Sequence, residues 1–515
     1  MPGFAPSGVN LNSSNFQVYA SEKPQYPQAH KVFPLAKSVS DKPARPPGRV
    51  PIGLAGRRCR VRQHRNLHET RQVVRQFPYF YTMAIDKKPL ELSSDFKYAL
   101  DRIEKEGCNL FITGRAGTGK STLLQLFRNT TRKKAVVLAP TGIAALNVKG
   151  QTIHSFFGFP PRPLAMSEIK KRRNRRLYQN MEVLVIDEVS MVRADLLDNI
   201  DRFLRVNRDV PLPFGGLQVV FFGDLFQLPP VVASDLEAMR FQSEYGSPYF
   251  FSARVMQEGG FDMEKMELRK VYRQENRHFL RLLEAVRLNR IDYDDLEDLN
   301  RRCLPHFEPE DFYITLSARN ATVDAINNKE LGQIPLPERI YWADITGDFN
   351  PKLYPTDPAL RLKLGAQVMF LKNDPDKQFV NGTIGKVADL GDETISVTIE
   401  EESGQPRRIE VGRMDWEILR YQPSLTEADK IETETIGTFR QFPVKLAWAI
   451  TIHKSQGKTF DKAIIDLGRG AFEHGQAYVA LSRCRSLEGI VLRQPMRMED
   501  IITDEKVVEY YEAHF

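Results

Sequence analysis

The stretch FITGRAGTGKST, Phe111–Thr122, constrains the fold more than any other part of this 515-residue chain. Gly114 to Ser121 matches G-x-x-x-x-G-K-[ST], with the apolar run CNLFIT before it and the helical pattern STLLQLFRNTT after it. Glycines at these spacings let successive backbone N–H groups wrap an anion, and the start of the following helix adds a favourable dipole. The residues expected at a nucleotide are Gly114, Arg115, Ala116, Gly117, Thr118, Gly119, Lys120, Ser121 and Thr122. Lys120 is expected to reach the β- and γ-phosphates and Ser121 to ligate Mg2+. KKAVVLAP, MEVLVIDE and LQVVFFGD supply three more short apolar strands alternating with helical stretches. That alternation is the pattern of an α/β fold whose parallel sheet is covered on both faces.

Single residues around this loop carry the remaining chemistry. MEVLVIDE ends in Asp187 and Glu188, an acidic pair at the end of a buried strand. There Asp187 is expected to hold Mg2+ and Glu188 to polarise an attacking water. Gln227, in GDLFQLPP, fits two readings: a neutral amide that senses the γ-phosphate and orients water, or part of a turn made by Gly223, Asp224 and two prolines. Arg273 and Arg483 stand in polar settings. A guanidinium supplied across a cleft stabilises the charge of phosphoryl transfer, whereas a lone arginine is more often a surface ion pair. Thr451, His453, Lys454, Ser455 and Gln456 form a dense donor cluster that suits the phosphates of a nucleic-acid backbone. The later GKT lacks the first glycine of a phosphate loop, so no second nucleotide site is expected.

The charge is unevenly placed. The whole chain carries +7, but residues 1–82 hold +10 and the remainder −3, so any nucleic-acid surface has to be local. The leader, with its DKPARPPGRVPIGLAGRRCRVRQHR, shows no helical or strand period and reads as disordered. An organelle transit peptide and a basic arm both fit it. The plainer reading, a dispensable segment read from an upstream start with Met83 opening the patterned body, is preferred. No apolar run is long enough to cross a membrane. The four cysteines are far apart with no C-x-x-C pair, which excludes a zinc site or disulfide framework of that spacing and fits a reducing compartment.

Taken in order, GRAGTGKST, APTGIAALNVKGQTIHSFF, LVIDEVSMVRADLLDNID, PFGGLQVVFFGDLFQLPPV, LRKVYRQ, TIHKSQGKTFDKAIID and QAYVALSRCRSLEGI resemble the motifs of PIF-type DNA helicases. These are superfamily-one enzymes of the five-prime-to-three-prime class. The resemblance covers roughly residues 92–495, and its wording is closer to bacterial members. It implies two RecA-like motor domains with ATP and Mg2+ between them. It places Lys120, Ser121, Asp187, Glu188 and Gln227 on the first motor, and Arg273 and Arg483 as arginine fingers from the second. Thr141, His154, Thr451, His453 and Lys454 fall in motifs that contact single-stranded DNA. The chain departs from the family in its first helix. Many relatives carry a glutamine there that reads adenine, whereas LSSDFKYAL has none, and Phe96 is expected to pack near the base instead.

The domain expectations are a leader over 1–82, a first motor over 83–250, a second motor over 251–363 and 438–515, and an insert over 364–437. In the insert Ile395, Val397 and Ile399 alternate with polar residues and Asn381-Gly382 marks a tight turn, which suggests a small β-barrel; a plain β-extension is the alternative. The basic run EIKKRRNRRLYQ, 168–179, suits a solvated helix face, a phosphate contact or a nuclear signal. The function implied is an ATP-dependent DNA helicase that tracks five-prime to three-prime on single strands, unwinds duplexes at forks, and serves DNA repair, recombination or telomere and genome maintenance. A RecD-like motor of a nuclease complex and an ATP-switched DNA-binding protein are the rivals. Localisation is expected to be cytoplasmic, or mitochondrial or nuclear if the leader is a targeting segment.

Overall fold

The computed structural model describes residues 92–401, 404–424, 426–427 and 430–515. The expectations for the leader 1–82 therefore lie outside the described residues. The first helix, α1 (Ser94–Asp101), starts where the Ser93 hydroxyl accepts the Phe96 N–H at 3.2 Å, and its continuation to Glu106 stops at Gly107, whose φ of 66° breaks the turn.

The first sheet contains β1 (Leu110–Gly114), β2 (Ala135–Ala139), β3 (Gln151–Thr152), β4 (Val183–Ile186), β5 (Gln218–Phe222) and β6 (Glu264–Leu268), in the order β3-β2-β4-β5-β1-β6, all parallel. Alternate residues serve opposite faces, as the strand period requires. Leu110, Ile112, Val183, Val185, Val220 and Phe222 pack with Phe96, Leu123 and Phe127 on one side, while Phe111, Leu184, Ile186, Val219 and Phe221 join the larger core on the other. The α/β reading with both faces covered therefore holds. β6 corrects the boundary expected at residue 250, because it pairs with β1 and so extends the first sheet to Leu268. Its sequence EKMEL is only half-buried at the sheet edge, so it lacks the apolar run that marks the inner strands.

The second sheet, β18-β7-β19-β20, is also parallel: β7 (Ile314–Ser317), β18 (Ala449–Thr451), β19 (Ala463–Asp466) and β20 (Ile490–Leu492). Adjacent strands β7 and β18 are thus separated in sequence by a long excursion. This excursion contains β8 (Arg339–Trp342), β9 (Asp344–Gly347), β10 (Ala359–Leu362), β11 (Gln367–Phe370), β12 (Ile384–Leu390), β13 (Thr394–Glu400), β14 (Pro406–Gly412), β15 (Met414–Pro423), β16 (Ile431–Gln441) and β17 (Val444–Leu446). Where the sequence suggests a small barrel, the strand pairing gives an open antiparallel sheet, β14-β13-β12-β11-β17, with a second sheet, β15-β16-β9, beside it.

The long hairpin β15–β16 leaves the five-stranded sheet because its aromatic residues have another partner. The Tyr421 hydroxyl accepts the Val137 N–H at 3.1 Å, and the Tyr421 N–H donates to Gln151 Oε1 at 3.2 Å. The Tyr421 ring meets Phe156 edge-on at 5.9 Å, while Trp416 and Phe439 pack with Leu146. The hairpin is rooted in the second motor's chain but packs on the first motor's sheet.

Candidate nucleotide cleft and nucleic-acid face

Between β1 and α2 (Lys120–Thr130) the chain wraps a cleft of about 480 Å³, a size suited to a small-molecule ligand. Gly117 and Gly119 hold φ of 83° and 86°. A side chain at Gly117 would also meet the Arg273 Cβ at 2.6 Å, and one at Gly119 would meet Phe96 Cζ at 3.0 Å. Glycine is therefore required twice over, by backbone and by space. Lys120 Nζ donates to the carbonyls of Gly114 at 2.5 Å and Arg115 at 3.1 Å. Burial lowers the Lys120 pKa, since a desolvated ammonium lacks a full counter-charge. Ser121 and Thr122 line the same cleft, while the Arg115 side chain turns away to pair with Glu284 at 2.9 Å.

Asp187 and Glu188 follow β4, and Glu188 takes φ 50°, a left-handed conformation that turns its side chain off the strand line. Burial raises the pKa of both carboxyls. For Asp187 the neighbouring Glu188 adds to the rise. Two desolvated acids beside an exposed serine hydroxyl are a poor arrangement alone and a good one for a hard divalent cation. Mg2+ takes one or two protein oxygens and keeps waters and phosphates as its other ligands, so Ser121 and Asp187 fit it.

Gln227 lies at the centre of a polar relay. Its Nε2 donates to Asp224 Oδ2 at 3.0 Å, and its Oε1 accepts from Gln456 Nε2 at 3.2 Å. Gln456 Nε2 also lies 3.3 Å from Glu188 Oε2. This corrects the placement of Gln456 in the nucleic-acid cluster, because its amide faces the cleft and its acidic and amide residues. Asp224 is fully buried, with the equally buried Arg287 guanidinium 3.6 Å away and over the rings of Phe226 and Tyr511.

Arg483 enters from the opposite wall, whereas Arg273, expected from the second motor, follows β6 of the first sheet and stands beside Gly117. Arg273 Nη1 donates to the Ser482 carbonyl at 2.9 Å; Arg483 Nε donates to the Val479 carbonyl at 2.8 Å and its Nη2 to Ser482 Oγ at 2.8 Å. Burial depresses both guanidiniums, and Arg483 depresses Arg273 further. Phe96, Tyr272, Gly457 and Thr459 complete the lining, so Phe96 does stand at the cleft. Tyr478 lies in the apolar stretch YVALS, where nothing local marks it as a cleft residue. Its hydroxyl accepts the Ala116 N–H at 2.9 Å across the cleft.

The residues expected on DNA sit at the C-terminal ends of parallel strands, where α/β proteins place their ligands. Thr141 follows β2 and its hydroxyl accepts the Ala144 N–H at 3.3 Å; Thr451 ends β18 and accepts the Lys454 N–H at 3.3 Å. His154 follows β3 on a helix capped by Thr152, and burial lowers its pKa with help from Arg193. His453 is exposed and pairs with Glu473 at 3.0 Å, while Lys454 is exposed with no ion pair among the described residues. Part of the basic run is structural: Lys171 and Arg175 pair with Asp209, and Arg172 donates to the Phe157 carbonyl. Lys170 and Arg173 are exposed.

A family profile described as PIF1-like helicase matches residues 91–297, and one described as DNA helicase Pif1, 2B domain, matches 354–390. The ATP-dependent DNA helicase Pif1 of Bdellovibrio bacteriovorus is 34% identical over 433 residues, 82% of this chain and 92% of that protein. The human ATP-dependent DNA helicase PIF1 is 35% identical over 442 residues, 81% of this chain and 63% of that protein. Among solved structures, Bacteroides sp Pif1 in complex with ADP-AlF4 is 39% identical with a TM-score of 0.76, covering 82% of this chain and 96% of that one. The same protein bound to ssDNA matches at 0.58.

Proposed function

The chain belongs to the PIF1-like helicase family, and from that premise we propose that it is an ATP-dependent DNA helicase that tracks five-prime to three-prime on single-stranded DNA. Its duplex substrates are forks met in repair, recombination and genome maintenance, and its site of action is the cytoplasm of a bacterial-type cell. The observation that carries this reading is the two-sided cleft. The phosphate loop, Glu188 and Gln227 face Arg483 and Gln456 across one space, with Arg273 beside Gly117. A site assembled from both walls couples hydrolysis to their relative position, which is what a translocating motor needs and a passive binder does not.

Each residue has a task. Lys120 leaves its two carbonyl partners to hold the β- and γ-phosphates. Ser121 and Asp187 would hold Mg2+, which supplies positive charge to the phosphates when bound. Glu188 is placed to take a proton from the attacking water, and its raised pKa suits that role. Gln227 orients the same water through Oε1, because Asp224 fixes the other end of its amide. Arg273 and Arg483 stabilise the charge that develops on the γ-phosphoryl group. Thr141, His154, Thr451, His453 and Lys454 bind the strand. A RecD-like subunit role is disfavoured by the family membership.

ATP turnover with and without single-stranded DNA, followed by unwinding of duplexes with a five-prime or three-prime tail, tests the proposal. Stimulation by DNA and unwinding of the five-prime-tailed duplex alone are expected. Glu188→Gln is expected to bind nucleotide and DNA normally and to hydrolyse roughly a hundred-fold more slowly or worse. Normal turnover by that variant, or preference for the three-prime tail, would overturn the reading.

A further inference from the structure

Of the three arginines lining the cleft, Arg485 pairs with Asp461 at 2.9 Å, whereas Arg273 and Arg483 have no carboxylate partner within ion-pair distance among the described residues, yet both are fixed in place. The means is a single helix end. Arg483 folds back on its own helix, Gln476–Leu481, through the Val479 carbonyl, and Arg273 donates to the Ser482 carbonyl one residue past it. Gln274 Nε2 reinforces the second tie, at 3.2 Å from the Ser482 carbonyl and 2.8 Å from that of Cys484. Arg483 cannot move relative to the phosphate loop unless this helix moves, whereas Arg273 is rooted beside Gly117 and reaches the helix end only through its guanidinium.

Tyr478 sets the position of that helix. Its ring is buried and its hydroxyl is the acceptor for the Ala116 N–H, a backbone group of the phosphate loop itself. The hydroxyl proton points to Asp224 Oδ2, at a long 3.5 Å, and the same oxygen holds the Gln227 amide. Close packing of the two walls fixes the approach here too: a side chain at Gly475 would lie 2.4 Å from the Phe226 carbonyl. A phenylalanine would keep the ring's packing and remove only the hydroxyl's tie to the phosphate loop.

We propose that Tyr478 is a positioning residue for hydrolysis. Its hydroxyl registers the helix Gln476–Leu481 against the phosphate loop, and so sets where Arg483 stands relative to the γ-phosphate. The inference rests on the reading of these arginines as phosphate-facing. It adds a cause for the placement of Arg483 that lies outside that arginine. Without the hydroxyl, the Ala116 N–H faces an apolar ring edge whenever the cleft is closed, and the closed register loses its preference over neighbouring ones.

A double-mutant cycle tests it. Wild type, Tyr478→Phe, Arg483→Ala and the double variant are compared for kcat and KM of ATP hydrolysis at saturating single-stranded DNA, with ADP affinity and thermal unfolding measured alongside. Tyr478→Phe is expected to lower kcat about ten-fold while KM changes less than about two-fold, with ADP affinity and unfolding midpoint unaltered, as loss of one cross-cleft hydrogen bond predicts. In the Arg483→Ala background the same change is expected to lower kcat no further. Retention of kcat by Tyr478→Phe, or an equal loss in both backgrounds, would refute the positioning role while leaving the arginine reading intact. Full turnover by Arg483→Ala would instead refute the arginine reading, and this inference with it.

Discussion

Lys445 shows what a single residue can reveal about a junction. It lies on β17, where burial first, then repulsion from Lys458 and Lys454, push its pKa down to about 7, against a weaker pull from Asp357. In the unfolded chain that ammonium titrates near its ordinary 10.5. Between these values the unfolded state binds the extra proton, so this residue makes stability rise with pH across that window and weighs most on the fold below pH 7. Lys445→Met should therefore raise the unfolding midpoint at pH 6.5, by on the order of a few degrees. The gain should shrink towards pH 10, and thermal melts across that range check it; a pH-independent gain would mean that packing rather than charge is responsible. The same scale separates what the sequence disclosed from what it hid. Lys120 and Ser121 could be read from one contiguous loop and Glu188 from the end of one buried strand, and all three line the same cleft. Tyr478 and Asp224 could not be read so, because their meaning depends on partners such as Ala116, which lies 362 positions from Tyr478.

At the scale of elements, the two motors repeat one device. Thr141 and Thr451 each cap a short helix at the end of a parallel strand, accepting a backbone N–H and leaving the hydroxyl proton free to donate. A neutral donor and an ammonium then contribute differently to strand binding. Thr451→Ala should weaken single-strand affinity about five-fold, the worth of one ordinary hydrogen bond, without changing how affinity falls with salt. Lys454→Ala should weaken it and flatten that salt dependence, because only a cation releases counterions. Titrations at several salt concentrations decide between them, and equal slopes for both variants would remove Lys454 from the phosphate path. Inner strands such as VLVI were legible as apolar runs buried on both faces. Edge strands were not: β6 reads as a polar pentapeptide, and β15 and β16 alternate like any hairpin, with nothing local to say that Tyr421 and Trp416 face another motor.

For the whole molecule, the proposed nucleotide and DNA contacts share one body. Arg483 lies in the nucleotide cleft, while His453 and Lys454 lie on the second motor's sheet edge, joined to it through the turn that carries Gln456. Anything that shifts this body is felt at both ligands, so their affinities are linked. Wild-type affinity for single-stranded DNA should change when a non-hydrolysable ATP analogue is added, and Arg483→Ala should still bind DNA but lose that response. Fluorescence titrations with and without the analogue measure it, and an unresponsive wild type would contradict the linkage. The hairpin β15–β16 adds a mechanical condition. The first motor touches the second across the cleft, the second continues covalently into the excursion, and the excursion returns to the first at Val137 and Gln151. These three bodies form a closed kinematic loop rather than an open chain. In such a loop no joint turns alone: widening the cleft must either slide Tyr421 along the sheet edge or break its two hydrogen bonds. The travel available to the motor is thus set at a point remote from both of its ligands.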